Sequence, residues 1–243
     1  MTNRSWKDDI CSKTIEGLRI SCDDIVRFTE NHALPVNAEY LLTVNIAKSI
    51  ATLNISLGWP LKIYLEYPAG TFLEKCFPLT RSIISRSFPP VQAVFRQNPT
   101  LDRPLDRPGR IDVAVLSDGQ QDSIPICAIE IKGFNPPKGK VIDDIKRNKA
   151  YFADANTGRS QIQFAVSVMV RSYKSPNSRE AHVERLLLNY ADEIQAPNGC
   201  GISVITGKLR DASVDEDGTI PQLIAGIIII ERQNNPSDRN CTD

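Results

Sequence analysis

The sequence has few of the residues that zinc sites and nucleophile–histidine enzymes require. Only two histidines, His32 and His182, occur among 243 residues, and neither lies in a recognisable nucleophile or metal motif. No cysteine pair has C-x-x-C spacing, and no G-x-S-x-G elbow is present. A phosphate-binding loop is also missing, because the glycines of 201–209 are wrongly spaced and Leu209 stands where Ser or Thr should follow the lysine. These absences argue against a structural zinc site, a serine hydrolase and a P-loop nucleotidase.

The sequence also lacks a hydrophobic run long enough to span a bilayer. The longest such run, 223–230, is too short, and the polar residues 1–13 contain no apolar segment of the kind found in secretory signals. The cysteines are scattered, which is typical of reduced and partly buried thiols: Cys11, Cys22, Cys76, Cys127, Cys200 and Cys241. We therefore expect a cytoplasmic protein with no membrane partner.

Net charge is absent as well, since Lys plus Arg and Asp plus Glu both number 29. An overall field cannot draw such a protein to nucleic acid, so any polyanion binding requires a local basic surface. The segment 132–149 has six basic residues against two acidic ones. The candidate nucleic-acid-binding residues are Arg110, Lys138, Lys140, Lys146, Arg147 and Lys149. An ordinary solvated helix face explains the same charges equally well.

The pattern of apolar residues predicts an α/β protein. Helical spacing predicts one or two helices in 7–30 and further helices at 38–54, 141–155 and 178–194. Alternation or apolar runs predict strands at 61–67, 110–116, 124–134, 161–170, 201–207 and 222–231. The strands 110–116 and 124–134 should pair as a long-looped hairpin, and an acidic loop should separate the last two strands. This order implies helices packed around a mixed sheet, with no convincing domain boundary in 1–243.

Residues 68–109 form the least regular part of the sequence. A short helix is expected at 81–88, and the tandem LDRPLDRP of 101–108 should be extended, because each proline disfavours helix at the residue before it. A rigid connector is the preferred interpretation of this tandem. The functional alternative is an arginine-bearing arm beside an active site.

Three charged residues on two neighbouring strands carry the most specific chemistry. Because side chains alternate along a strand, Glu130 and Lys132 should share one face, and Asp112 on the preceding strand should converge with Glu130 at one end of the sheet. Two adjacent carboxylates repel each other and recruit a cation, and hard oxygen ligands favour Mg²⁺, with Mn²⁺ as a substitute. A neighbouring lysine would act on a metal-bound water and counter charge on a phosphate. The set therefore suits phosphodiester hydrolysis.

Asp112 followed by Glu130-Ile131-Lys132 resembles the PD-(D/E)XK nuclease superfamily, whose restriction-endonuclease-like core runs helix, three strands, helix, strand. The resemblance covers about 37–170 and implies a three-layer sandwich, with N-terminal helices and a C-terminal helix-strand-strand extension. It implies that Asp112, Glu130 and the Ile131 carbonyl hold Mg²⁺ and that Lys132 acts on the water. It also implies a role for Glu39, on the helix before the first core strand. Arg110-Ile111 precedes the aspartate where the named pattern has proline.

These residues lead to one main hypothesis and two alternatives. The main hypothesis is a Mg²⁺-dependent nuclease, most suited to DNA, for which a homodimer would supply two cleavage sites. The first alternative is a catalytically silent nuclease-like subunit that binds DNA or serves as a scaffold in a defence, repair or mobile-element complex. The second is an unrelated α/β protein with an accidental E-x-K pattern, in which Glu130 and Lys132 form a cross-strand pair and Asp112 does not converge with Glu130.

Overall fold

A computed structural model describes residues 6–29, 39–58, 60–76, 109–118, 123–152, 160–174, 177, 179–215 and 218–233. Within these ranges the chain forms five helices and eight strands, labelled in chain order. They are α1 Trp6–Thr29, α2 Glu39–Ser56, β1 Leu61–Pro68, α3 Ala69–Cys76, β2 Arg110–Ser117, β3 Pro125–Phe134, α4 Lys138–Ala150, β4 Phe164–Tyr173, α5 Glu180–Ile194, β5 Cys200–Arg210, β6 Ser213–Asp215, β7 Gly218–Ile220 and β8 Gln222–Arg232.

Six strands form one mixed sheet in the order β1-β2-β3-β4-β8-β5. β2 lies antiparallel to both β1 and β3, so the expected hairpin of β2 and β3 is confirmed. β3 and β4 are parallel, with α4 between them in the chain, and β8 lies antiparallel to β4 and β5. The remaining strands, β6 and β7, form a separate two-stranded hairpin. The sequence therefore predicted the mixed sheet correctly.

Helices cover both faces of the sheet, an arrangement compatible with a three-layer sandwich. One buried cluster joins α1 and α2 to side chains such as Val113 and Ile129. The other joins α3, α4 and α5 to side chains such as Ala114 and Ala128, which point the opposite way on the same strands. Burial of these apolar surfaces on both sides is the main favourable contribution to folding. None of the described helices is long and apolar enough to cross a membrane.

The two helices of the first layer approach each other very closely at Gly17 of α1. A Cβ placed on Gly17 would lie 2.5 Å from Cα of Ile46, a backbone atom of α2. Glycine is therefore the residue that lets α1 reach the backbone of α2. This contact sets the position of α2, whose first residue is Glu39.

Several element boundaries differ from those predicted. The stretch 68–109 contains a regular element, α3, and the acidic loop of 211–219 contains the β6–β7 hairpin. Helix α4 begins at Lys138 and ends at Ala150, whereas the sequence predicted 141–155. The prediction was wrong at its start because Pro137, read as part of a helix-breaking segment, is the residue that precedes the first turn. The proposed helix at 81–88 and the LDRPLDRP tandem lie outside the described residues.

The cysteines fit the expectation of reduced thiols where they are described. Cys11, Cys22, Cys76 and Cys127 are buried and Cys200 is partly buried, and none of the five forms a disulfide. Burial raises the pKa of the thiols of Cys11 and Cys22 to about 12. These cysteines therefore serve as apolar core residues rather than as nucleophiles. Cys241 lies outside the described residues.

Candidate metal and phosphodiester site

The site lies where β3 separates from β2. Their pairing runs from Leu116 opposite Pro125 to Val113 opposite Ile129, and β2 continues beyond that point against β1. Beyond that point the backbone N–H of Ile131 donates a hydrogen bond to the Asp112 side chain instead of to the β2 backbone, with 2.6 Å between N and Oδ2. This bond fixes the Asp112 carboxylate beside the E-x-K segment.

Glu130 is almost completely buried, with 2% of its surface exposed. It sits on β3 opposite Ser167 of β4, and its nearest cation is Arg147 of α4, with 3.6 Å between Oε1 and Nη1. Burial raises the pKa of the Glu130 carboxyl to about 8; Arg147 acts against this rise, while Asp112 and Asp144 add to it. A carboxyl in this environment is stabilised either by binding a proton or by binding a cation of higher charge.

Lys132 lies on the same side of β3 as Glu130 and contacts acids from two helices. Its Nζ is 3.1 Å from Oδ2 of Asp144 on α4 and 3.5 Å from Oε1 of Glu39 on α2. It also donates a hydrogen bond of 3.3 Å to the carbonyl oxygen of Ile131. Burial acts to lower the Lys132 pKa, but the carboxylates outweigh it, so the pKa is raised and the side chain is an ammonium.

The four residues predicted to be catalytic meet in one place. Glu39, the first residue of α2, is ion-paired with Lys132, and the Asp112 carboxylate raises the pKa of the Glu130 carboxyl. Burial raises the pKa of the Asp112 carboxyl to about 6, opposed by its bond from Ile131 and by Lys132. Asp112 and Glu130 therefore lie on adjacent strands, at the end where the β2–β3 pairing stops.

Asp144 is a site residue that the sequence analysis missed. It is 1% exposed, and its two oxygens contact different cations: Oδ2 faces Lys132 and Oδ1 accepts a hydrogen bond from Nη2 of Arg147. The buried residues of α4 are Val141, Ile142, Asp144, Ile145 and Asn148. This spacing is that of a helix face packed on a sheet. A carboxylate and an amide within an apolar stripe were therefore the signal in the sequence.

Asn148 ties the same helix to the sheet next to the site. Its amide nitrogen donates to the backbone oxygen of Val166 and to the Ser167 hydroxyl, both at 3.0 Å. The amide oxygen of Asn148 is buried and has no hydrogen-bond partner among the described residues. The polar network of the site thus extends from α4 to β4.

The glutamate Glu66 of β1 is a further acid near Asp112 that the sequence did not single out. It falls between the pairs Leu65–Val113 and Tyr67–Ile111, as Asp112 does on β2, and its charge raises the Asp112 pKa. Its φ of 52° is in the left-handed region, where residues other than glycine are uncommon. The strand alternation of 61–67 gave no sign of this irregularity.

The structure separates the candidate nucleic-acid-binding residues into two groups. Arg147 is paired with acids of the site, Lys138 is 2.6 Å from Glu193, and Lys149 donates to the carbonyl of Ile194. The other three, Arg110, Lys140 and Lys146, are exposed, and so is Lys138 despite its ion pair with Glu193. A basic surface beside the site would consist mainly of the exposed group.

The donor set of the site suits a hard divalent cation. Asp112 Oδ2 accepts a hydrogen bond from the Ile131 N–H, Glu130 Oε1 faces Arg147, and the Ile131 carbonyl oxygen, which lies between Glu130 and Lys132 in the chain, accepts a hydrogen bond from Lys132. Four carboxylates (Glu39, Asp112, Glu130, Asp144) against two cations (Lys132, Arg147) leave two negative charges when all six are ionised. In the described part of the chain, no cluster of three or more His, Cys, Asp or Glu residues is arranged to hold a metal. The oxygen donors and the charge are nonetheless those that Mg²⁺ prefers.

Fold and site together define an α/β protein with a buried network of acids and bases at one end of a mixed sheet. Comparisons of the chain with protein-family models, with characterised proteins and with solved structures found no match. The geometry of the network is therefore the basis for a functional assignment.

Proposed function

We propose that this protein is a Mg²⁺-dependent nuclease with a restriction-endonuclease-like fold of the PD-(D/E)XK type, acting on DNA. The main support is the position of Asp112 and Glu130 on adjacent strands, where the strands separate, with the Lys132 ammonium in the same network. A buried cluster of this composition is costly to desolvate, so its presence favours a chemical role.

The order of elements supports the same proposal. The series α2, β1, β2, β3, α4, β4 follows the helix, three strands, helix, strand order that the resemblance implies, with α3 inserted between β1 and β2. Asp112 is on the second of these strands, and Glu130 and Lys132 are on the third.

Each side chain has a role that follows from its surroundings. Asp112, Glu130 and the Ile131 carbonyl would hold Mg²⁺, which when bound would supply an activated water and neutralise phosphate charge. Lys132 would orient the attacking water and stabilise the negative charge that develops on the phosphate oxygens, since it is an ammonium with three donors. Asp112 is fixed by the Ile131 N–H, so its carboxylate needs little reorganisation. Exposed Arg110, Lys140 and Lys146 would contact the backbone of the nucleic acid.

A second candidate is the catalytically silent DNA-binding or scaffold subunit. One observation favours it: Lys132 and Arg147 are both paired with carboxylates inside the network, so the acids are partly neutralised without any metal. Such a subunit would bind DNA but leave the phosphodiester bonds intact.

A cleavage assay separates the two candidates. Purified protein is mixed with plasmid and linear DNA in Mg²⁺, in Mn²⁺ or in EDTA, and products are followed on gels. Lys132→Ala should lower the rate by about 10²-fold or more while the fold is kept, because it removes a group that acts on the reacting atoms. Lys48→Ala is the matched control, since Lys48 is an exposed lysine of α2 outside the network.

One result would contradict the role given to Lys132, and another would contradict the nuclease proposal itself. Equal cleavage by wild-type protein and Lys132→Ala would remove Lys132 from the mechanism. Strong DNA binding without cleavage under any of the metals would favour the silent subunit instead.

A further inference from the structure

Arg147 is oriented by two acids of the site rather than by solvent. Its Nη1 is 3.6 Å from Oε1 of Glu130, and its Nη2 donates to Oδ1 of Asp144. The Nε of Arg147 is buried and has no hydrogen-bond partner among the described residues. The guanidinium therefore occupies the space between α4 and β3, next to one of the proposed metal ligands.

Arg147 compensates the negative charge of Glu130, as a bound metal ion would. Glu130 is almost fully buried, and a buried carboxylate is stable only when a cation or hydrogen-bond donors compensate it. In this structure Arg147 is the cation in contact with Glu130. A divalent ion held by Glu130 would lie near the guanidinium and would be repelled by it.

Asp144 gives Arg147 a second partner that does not depend on Glu130. The carboxylate of Asp144 binds Arg147 through one oxygen and faces Lys132 through the other. If Glu130 exchanges Arg147 for a metal ion, Arg147 keeps its bond to Asp144 and stays in the site. The loss of one ion pair is then the main cost of the exchange.

We infer that Arg147 is an internal counter-cation of Glu130 with which a metal ion competes, so that Arg147 lowers the metal affinity of the site. This inference rests on the proposed function, because it assumes that Glu130 is a metal ligand. It assigns Arg147 a role different from the DNA contact that the sequence suggested. A metal ion on Glu130 weakens the Glu130–Arg147 pair by repelling the guanidinium, which keeps its bond to Asp144.

Calorimetric titration of the full chain with Mn²⁺, in the absence of nucleic acid, tests the inference without using activity. Arg147→Gln should bind Mn²⁺ about fivefold or more tightly than wild type, a typical coupling between two ligands of one site. Arg147→Lys keeps the charge and should stay close to wild type. Lys146→Gln is the matched control, because it removes the neighbouring exposed charge of α4, and its affinity should also stay close to wild type. Circular dichroism establishes that each variant is folded.

The outcomes distinguish the inference from the proposal beneath it. Mn²⁺ binding by wild type with no gain in Arg147→Gln, or with an equal gain in Lys146→Gln, would overturn the inference alone. No Mn²⁺ binding by any of the proteins would overturn the metal site itself. If Arg147→Gln does not fold, exchange of the Arg147 guanidinium protons in wild type is followed by NMR; Mg²⁺ should accelerate it, and unchanged exchange would refute the competition.

Discussion

Glu130 and Asp144 are both nearly inaccessible carboxylates, and each is compensated by cations from neighbouring elements. Asp144 faces two of them, Lys132 and Arg147, whereas Glu130 shares Arg147 and lies beside a second acid, Asp112. At the scale of single residues, the charge of Glu130 is thus less fully compensated than that of Asp144. Alternation along β3 predicted that Glu130 and Lys132 share a face, whereas Asp144 was marked only by its place in the apolar stripe of α4, and its pairing with Lys132 depends on how α4 packs against β3.

The pH dependence of stability should report the unfavourable burial of Glu130. Its pKa is about 8 in the folded chain against an ordinary 4.5, so the folded state binds the proton more tightly than the unfolded state. Stability should therefore fall as pH rises through this window. At about pH 8.5 in EDTA, Glu130→Gln should unfold with a free energy at least about 1.4 kcal/mol above that of wild type, the equivalent of one pKa unit.

Urea denaturation measured across the same pH window checks this prediction. The advantage of Glu130→Gln should shrink towards about pH 4.5, where Glu130 is protonated in both states. Glu184→Gln, at an exposed position of α5, is the control and should show little change. A Glu130→Gln advantage that stays constant with pH would show that the carboxyl is not strained by burial.

At the scale of elements, the close approach of α1 and α2 at Gly17 positions the helix that carries Glu39. A methyl group on Gly17 would lie 2.5 Å from Ile46 Cα and 2.8 Å from the Asn45 carbonyl oxygen, and neither backbone atom can move aside alone. Gly17→Ala should therefore lower the free energy of unfolding by about 2 kcal/mol, as overpacked cores do. Gly70→Ala in α3, with open space around the new methyl, is the matched control and should be neutral or stabilising by up to about 1 kcal/mol.

Urea denaturation midpoints of Gly17→Ala and Gly70→Ala, compared with that of wild type, test this prediction. A Gly17→Ala variant as stable as wild type would mean that the two helices do not touch in this way.

The sequence predicted most elements because their apolar patterns are strong. β2, β3 and β8 are runs of buried apolar residues, and their predicted limits differ from the observed ones by one residue at most. α3 was missed because its eight residues lie in a stretch dominated by proline, where a helical pattern is too short to stand out. Tertiary packing determines the register between β3 and β4 and the point at which β2 and β3 separate. The apolar pattern of a single strand specifies neither.

At the scale of the whole molecule, the zero net charge is accompanied by pairing between basic and acidic side chains. Part of the basic excess of 132–149 is used internally, by Lys132 and Arg147 within the site, while the exposed Lys138 is paired with Glu193 at the surface. Counting charges along the sequence overestimated the surface available to a polyanion, because pairing between elements cannot be read from composition. The exposed residues Arg110, Lys140 and Lys146 would have to provide the contact with nucleic acid.

The most direct test of the account is anomalous diffraction from crystals of the protein soaked in Mn²⁺. The account predicts one strong peak about 2 Å from carboxylate oxygens of both Asp112 and Glu130, and no such peak in Asp112→Asn crystals treated identically. Saturating Mn²⁺ with no peak at these two carboxylates, or with one elsewhere only, would contradict the assignment of a metal-dependent phosphodiesterase site.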